Sequence, residues 1–207
     1  MDITLSQEGE LNPGIEATAL VARELEGRDG LRDTVLLLKE QLELKDLNKS
    51  YLGGFSSYAI FLMVLACMNY LNKDANKITS SECLKALVDF YTSRRFDPKK
   101  NVIGVGANGV TIRQVEDYPS TIIDPNLPLK IIDPTCGRQI RASFTKLPLL
   151  MELFADIRNH FAAINESMRL QASTYQEKKD LKAAVARGEE VEKLLILLGR
   201  DLRGIRD

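Results

Sequence analysis

The sequence predicts a mainly α fold, α+β in class, with one small β-hairpin set among helices. Three observations predict it. Apolar residues recur at helical spacing in several separate segments. One run, Tyr58–Met68, is apolar almost all round, as a helix buried at the centre of a domain must be. A single Asn108-Gly109 pair between β-like stretches marks a tight turn. At 207 residues, with 44% hydrophobic and 28% charged residues, the composition is that of a soluble globular chain.

In chain order, Ile3 and Leu5 alternate with Asp2, Thr4 and Ser6 in a short strand pattern, which suggests that the chain is the back part of something longer. Gly9, Asn12 and Pro13 close a polar link. Ile15, Leu20, Val21 and Leu25 predict a helix. Gly30 reads as a spacer before a second helix, whose stripe is Leu31, Val35, Leu38 and Leu42. Lys39 falls one position off that stripe, where a lysine either snorkels to water or reaches an anion beside the next helix.

The chain is organised around Leu47–Leu71. A Gly53-Gly54 pair allows close backbone approach and positive φ. Ser56 and Ser57 then predict a helix cap that presents hydroxyls and free N–H groups, a setting that favours anions. The plain alternative is a core helix with an ordinary cap. Tyr58, directly after, either joins the core or offers a face for a base to stack on.

Further on, Ser81–Tyr91 predicts a helix that Asp97-Pro98 prevents from continuing. Gly104-x-Gly106-x-x-Gly109 formally matches a dinucleotide fingerprint. That motif needs a helix to follow, whereas Val110-Thr111-Ile112 is β-like, so a hairpin is predicted. Residues 116–141 are proline-rich and irregular, the kind of long loop that carries function. Leu147, Leu150, Met151, Phe154, Ile157, Phe161 and Ile164 form the stripe of an amphipathic helix over Lys146–Ile164. Residues 165–207 read as charged helices whose Leu194–Leu198 must bury against the domain.

Several functions are disfavoured. The net charge of −1 gives no global basic field, so RNA contact must be local or supplied by a partner. Cys67, Cys83 and Cys136 are scattered, and His160 is the single histidine. A zinc site or disulfide framework is not expected, and an intracellular, reducing setting is. No Ser/His/Asp set, H-E-x-x-H or Walker motif is present. The apolar run is shorter than the roughly 18 residues a membrane span needs.

Taken together these stretches resemble template-independent RNA nucleotidyltransferases, namely the nuclear poly(A) polymerases that assist the exosome and the related terminal uridylyltransferases. MDITLSQ is similar to the family's "VDIS" strand. Residues 12–65 resemble its run through "GIEAA", "LVLKQFL", "LN" and "GGxSSY". LKIIDP at 129–134 resembles the "L.IEDP" of the PAP-associated region, and LLGRDLRGIRD its final "ILGR" helix. The resemblance implies a remnant strand of a nucleotidyltransferase domain at 1–7, a helical central and PAP-associated domain at 8–164, and C-terminal helices at 165–207 packing back on it.

The resemblance also implies a chemistry, the addition of AMP from ATP to RNA 3′ ends in RNA processing and surveillance. Three carboxylates of the family hold two Mg²⁺ ions, which activate the RNA 3′-hydroxyl and stabilise the leaving pyrophosphate. Asp2 matches the third of these carboxylates, as catalytic residue and metal ligand. Lys39 and Ser57 match triphosphate contacts, Gly54 is a nucleotide-binding position of the same motif, Tyr58 matches the base-stacking tyrosine, and Asp133 the acid of the nucleotide-recognition loop. Arg138 and Arg141 compete for that loop's arginine. The D-x-D pair carrying the other two carboxylates would precede Met1, so this chain alone is expected to be inactive and to bind neither Mg²⁺ nor ATP tightly. Glu43 replaces a lysine of the uridylyltransferases, and Ala17 stands where they have asparagine, which favours ATP. A uridylyltransferase and a non-catalytic helical interaction module remain alternatives. Implied partners are an RNA 3′ end held through the absent domain, a zinc-knuckle RNA-binding protein and a helicase, in the nucleus and away from membranes.

Overall fold

The computed structural model describes residues 13–74, 77–107 and 109–174. Five α-helices and one hairpin follow in order: α1 (Pro13–Leu25), α2 (Asp29–Leu44), α3 (Ser57–Tyr70), α4 (Ser80–Tyr91), β1 (Asn101–Gly106), β2 (Gly109–Gln114) and α5 (Leu147–Thr174). Met1–Gln7 and residues 175–207 lie outside the described residues, and with them the expected N-terminal strand and most of the C-terminal helices.

α3 is the axis of the molecule. Every residue from Ala59 to Met68 is buried, which is why its sequence shows no polar face. α2, α4 and the hairpin surround it, and α5 packs on α4. α2 turns Leu31, Thr34, Val35, Leu38, Gln41 and Leu42 inward. The Tyr91 hydroxyl of α4 donates to the Met63 carbonyl of α3 at 2.9 Å, and Asn69 Nδ2 donates to the Val110 carbonyl of β2 at 2.7 Å. The first gives a buried hydroxyl its partner, and both set the register of α3 against its neighbours.

Gly30 is not the spacer the sequence suggested. It lies in the first turn of α2 and is buried, and a Cβ there would stand 2.1 Å from the Ile78 carbonyl oxygen. Gly27, at φ +68°, makes the turn between α1 and α2 instead. α4 starts on a capping box, with Thr79 and Glu82 each bonding the other's backbone N–H.

β1 and β2 pair antiparallel from Asn101↔Gln114 to Gly106↔Gly109, as Asn108-Gly109 predicted. The proline-rich segment adds to this sheet. Ile131 bridges in parallel to Ile103 on β1, and Ile132 bridges antiparallel to Gln139. That doubling back carries Asp133–Arg138 as a tight turn, closed by Asp133 N–H to the Arg138 carbonyl and Gly137 N–H to the Asp133 carbonyl, both 2.8 Å. α5 runs ten residues past the predicted end of its stripe, and Leu147, Leu150, Phe154, Ile157 and Phe161 are buried as that stripe requires.

Candidate functional site

The site is a corner built where α2 ends and α3 begins. After α2 the chain doubles back. Leu47 N–H donates to the Leu42 carbonyl and Phe55 N–H to the Leu47 carbonyl, each at 2.7 Å. The glycine pair makes this possible. Gly53 adopts φ +81°, and a Cβ on Gly54 would stand 2.3 Å from the Leu47 carbonyl oxygen. Gly54 therefore shapes the corner through close backbone packing.

The entry to α5 fixes the corner from behind. Phe144 is fully buried at φ +46°, a strained conformation for a bulky residue, and stacks on Phe55 with ring centroids 5.3 Å apart. Lys146 N–H donates to the Gly53 carbonyl at 3.0 Å, and its Nζ to the Asp46 carbonyl at 2.6 Å.

At the head of α3 the two serines divide their roles. Ser56 is the cap, its Oγ accepting the Ala59 N–H at 3.1 Å. Ser57 is the first helical residue and is exposed. Tyr58 is half-buried. Its ring lies nearly parallel to Phe61, with centroids 6.3 Å apart, and is not sealed in the interior.

Tyr58 is also aimed. Its hydroxyl donates to Asp133 Oδ1 at 2.9 Å, across 75 positions of sequence. The same oxygen accepts the Thr135 N–H at 2.9 Å and the Thr135 hydroxyl at 2.7 Å. Burial, and then the Asp133 carboxylate beside it, pushes the Tyr58 phenol well above its ordinary value. The ring is thus held as a neutral donor.

The other expected site residues stand in different relations to this corner. Lys39 is exposed on α2, about 7.5 Å of helix before the end of α2. No hydrogen bond or ion pair joins Lys39 to Ser57, Tyr58 or Asp133 among the described residues. Arg138 and Arg141 are both exposed and line one cavity of about 760 Å³ with Ile122, Asp124 and Leu127. They are brought together there, and no hydrogen bond joins either to Tyr58 among the described residues. Asp2 lies outside the described residues. No group of three or more His, Cys, Asp or Glu side chains able to hold a metal gathers among the described residues. His160 is half-buried, with Nδ1 2.8 Å from the Asp156 carbonyl.

Sequence reasoning missed Thr135 and the Phe55–Phe144 stack. Thr135 had a signal: Asp133-Pro134-Thr135 is a turn sequence in which an aspartate accepts from the residue two places on. The stack had none, since it depends on a positive φ at Phe144 that no local pattern announces.

No family model matches the chain. A solved structure of the polymerase core of TRAMP, an RNA surveillance complex, aligns with a TM-score of 0.57 at 21% identity, over 72% of this chain and 48% of that one. The two share a fold. This chain spans about half the length of that core, so the fold is what the likeness carries. No helix among the described residues is long and apolar enough to cross a membrane.

Proposed function

We propose that this chain forms the nucleotide-holding part of an RNA 3′-end nucleotidyltransferase of the poly(A) polymerase type, taking ATP. One observation carries the reading. Tyr58, a half-exposed aromatic at the head of a buried helix, has its hydroxyl fastened by Asp133 from the far side of the chain. A core tyrosine needs only a partner for its hydroxyl, and any nearby carbonyl would serve. Here a turn is shaped around the carboxylate, with Thr135 supplying two further donors. That arrangement stiffens a half-exposed ring that can stack on a base.

In this reading Asp133 positions Tyr58 and acts on the base through it. Ser57, on the first turn of α3, offers a hydroxyl to a phosphate at the positive end of the helix, and Lys39 supplies a charge from α2. The fold shared with the TRAMP polymerase core supports the same class of activity. Mg²⁺ would suit carboxylate ligands of the kind Asp2 offers. The described residues gather no such set. An RNA 3′ end, a zinc-knuckle RNA-binding protein, a helicase and a nuclear location belong to the same proposal.

The test is equilibrium binding of a fluorescent ATP analogue to the full chain, with ATP and adenosine as competitors. Weak binding is expected, with Kd on the order of 1 mM or somewhat tighter. Tyr58→Ala weakens both competitors at least fivefold. Lys39→Ala weakens ATP and spares adenosine. Binding that ignores both substitutions overturns the proposal.

A further inference from the structure

The small sheet has two faces, and the nucleotide corner uses only one. Ile103, Val110, Ile112 and Ile131 join the main core, against which Tyr58 also packs. Val102, Ile123 and Ile132 form a second, smaller cluster with Val115 and Tyr118. Alternation along a strand puts Val102 and Ile132 on the face opposite Ile103 and Ile131. Ile132 bridges to Gln139, and residues opposed across an antiparallel pair share a face, so Gln139 belongs to the outer one. The cavity of about 760 Å³ lies on that side, between residues 121–127 and 137–141.

Ile122, Ile123 and Leu127 give this cavity its apolar wall, and Arg138 and Arg141 stand exposed beside them. Neither arginine makes an ion pair or a side-chain hydrogen bond with a described residue. Asp124, the one acid of the lining, is engaged in its own turn, with Oδ1 accepting the Asn126 N–H at 2.9 Å. Gln139 Oε1 accepts the Asp124 N–H at 2.6 Å, while its buried Nε2 has no partner among the described residues. Buried polar atoms are seldom left without one.

The rim of the cavity is also a sheet edge. Ile140 N–H donates to the Ile131 carbonyl and Asp133 N–H to the Arg138 carbonyl, both at 2.8 Å. That pattern turns the N–H and C=O of Gln139 away from Ile132, to the outer side of the ladder. Among the described residues nothing bonds them, nor the N–H and C=O of Arg141. An edge with unpaired backbone groups is a template for a further strand.

Two surface arginines would also suit a nucleic-acid phosphate. The lining argues against that ligand, because it holds no aromatic ring on which a base could stack. We infer that the cavity and its edge bind an extended acidic peptide of a partner protein, which adds a strand beside Gln139 and Arg141. Backbone bonds to the edge hold the peptide, and the side chains facing the cavity select it. An apolar side chain seats against Ile122 and Leu127, and an acid on each side of it meets Arg138 and Arg141. Positions i, i+2 and i+4 of a strand share a face, so the recognised pattern is acid-x-apolar-x-acid. Its two acids lie about 13 Å apart, against about 10 Å of extended chain from position 138 to 141. The inference does not rest on the nucleotide reading.

The experiment is an amide NMR titration of the full chain, without ATP or Mg²⁺, using the peptide Ser-Glu-Thr-Leu-Thr-Glu-Ser blocked at both ends. Shift changes are expected at 121–127 and 137–142, with Kd on the order of 1 mM, together with slower hydrogen exchange at the Gln139 and Arg141 N–H. Methylating the leucine nitrogen of the peptide removes an edge bond and should weaken binding at least fivefold. Arg138→Glu combined with Arg141→Glu should weaken it about tenfold, and the peptide Ser-Lys-Thr-Leu-Thr-Lys-Ser should bind that variant better than the parent. Both positions are exposed, and an equal melting temperature verifies folding. No shift at about 5 mM peptide, changes centred elsewhere, indifference to the methyl group, or equal binding of the lysine peptide by the parent overturns the inference. So does an oligo(U) strand that shifts the same amides at lower concentration than the peptide. No nucleotide is present in the peptide titrations, so failure there leaves the Tyr58 corner standing.

Discussion

The bond between Tyr58 and Asp133 is the contact most worth breaking, because it joins two parts of the chain that nothing in local sequence brings together. Tyr58→Phe removes one donor, at 2.9 Å, from a carboxylate oxygen that keeps two others from Thr135. Hydrogen bonds to charged groups contribute about 1.5–3 kcal/mol when sheltered. Tyr58 and Asp133 are both only half-buried, so about 1 kcal/mol is the expected loss. Asp133→Ala strips three donors of their acceptor at once. The Thr135 groups can turn to water in part, and about 2–3 kcal/mol is expected. The double substitution should fall short of the sum of the singles by about 1 kcal/mol, since the shared bond is lost only once. Thermal unfolding followed by circular dichroism reads these differences, each kcal/mol moving the melting point by about 2–4 °C in a chain of this size. Strictly additive losses, or a neutral Tyr58→Phe, would mean that the bond does not hold the ring, and the argument for an aimed tyrosine would fail.

Other expectations follow from the same packing. Gly30→Ala should destabilise: a helix interior gains about 1 kcal/mol from alanine, but a Cβ 2.1 Å from the Ile78 carbonyl oxygen forces a backbone shift costing more, for a net loss of about 1–3 kcal/mol by urea unfolding. Gly54→Ala should lower the melting temperature whether or not a nucleotide is present, because its Cβ would meet the Leu47 carbonyl oxygen; a variant as stable as the parent but weak for ATP would instead make Gly54 a direct contact. Burial pushes the Cys83 thiol up to about 11 from 9.0. A raised value stabilises the fold fully below pH 9, and that stability drains away as pH rises from 9 towards 11. Unfolding measured at pH 8, 9 and 10 should therefore show a loss that Cys83→Ala reduces, and equal slopes for parent and variant would contradict it. Alkylation at neutral pH should label the exposed Cys136 quickly and the buried Cys67 and Cys83 only on unfolding, as mass spectrometry of digests can read.

The fold was largely legible because its signals are local. The all-apolar run at Tyr58–Met68 could only be a central helix, the stripe on α5 could only face a core, and Asn108-Gly109 could only turn a hairpin. Even the rejection of the glycine fingerprint needed nothing beyond the β-like residues after it. Gly30 was misjudged for the opposite reason. Its purpose is an approach to Ile78, 48 positions away, and a glycine packed against distant backbone looks in sequence like one that ends a helix.

The candidate site was legible in its members and not in their arrangement. Gly53, Gly54, Ser56, Ser57 and Tyr58 advertise a capped helix start. Which serine would cap depended on the φ and ψ of Ser56. That Asp133 would return to Tyr58 depended on two isolated bridges, through Ile131 and Ile132, that no periodicity encodes. Arg138 and Arg141 were rivals in sequence because both follow the same turn, and the fold sets both on one cavity.

The most direct test of the central claim is an amide NMR titration of the full chain with ATP, repeated on Tyr58→Ala. The account predicts that the largest shift changes fall at Gly54–Ala59 and Asp133–Cys136 and vanish in the variant. Silence at millimolar ATP, changes centred elsewhere, or an identical pattern without the tyrosine ring would contradict it.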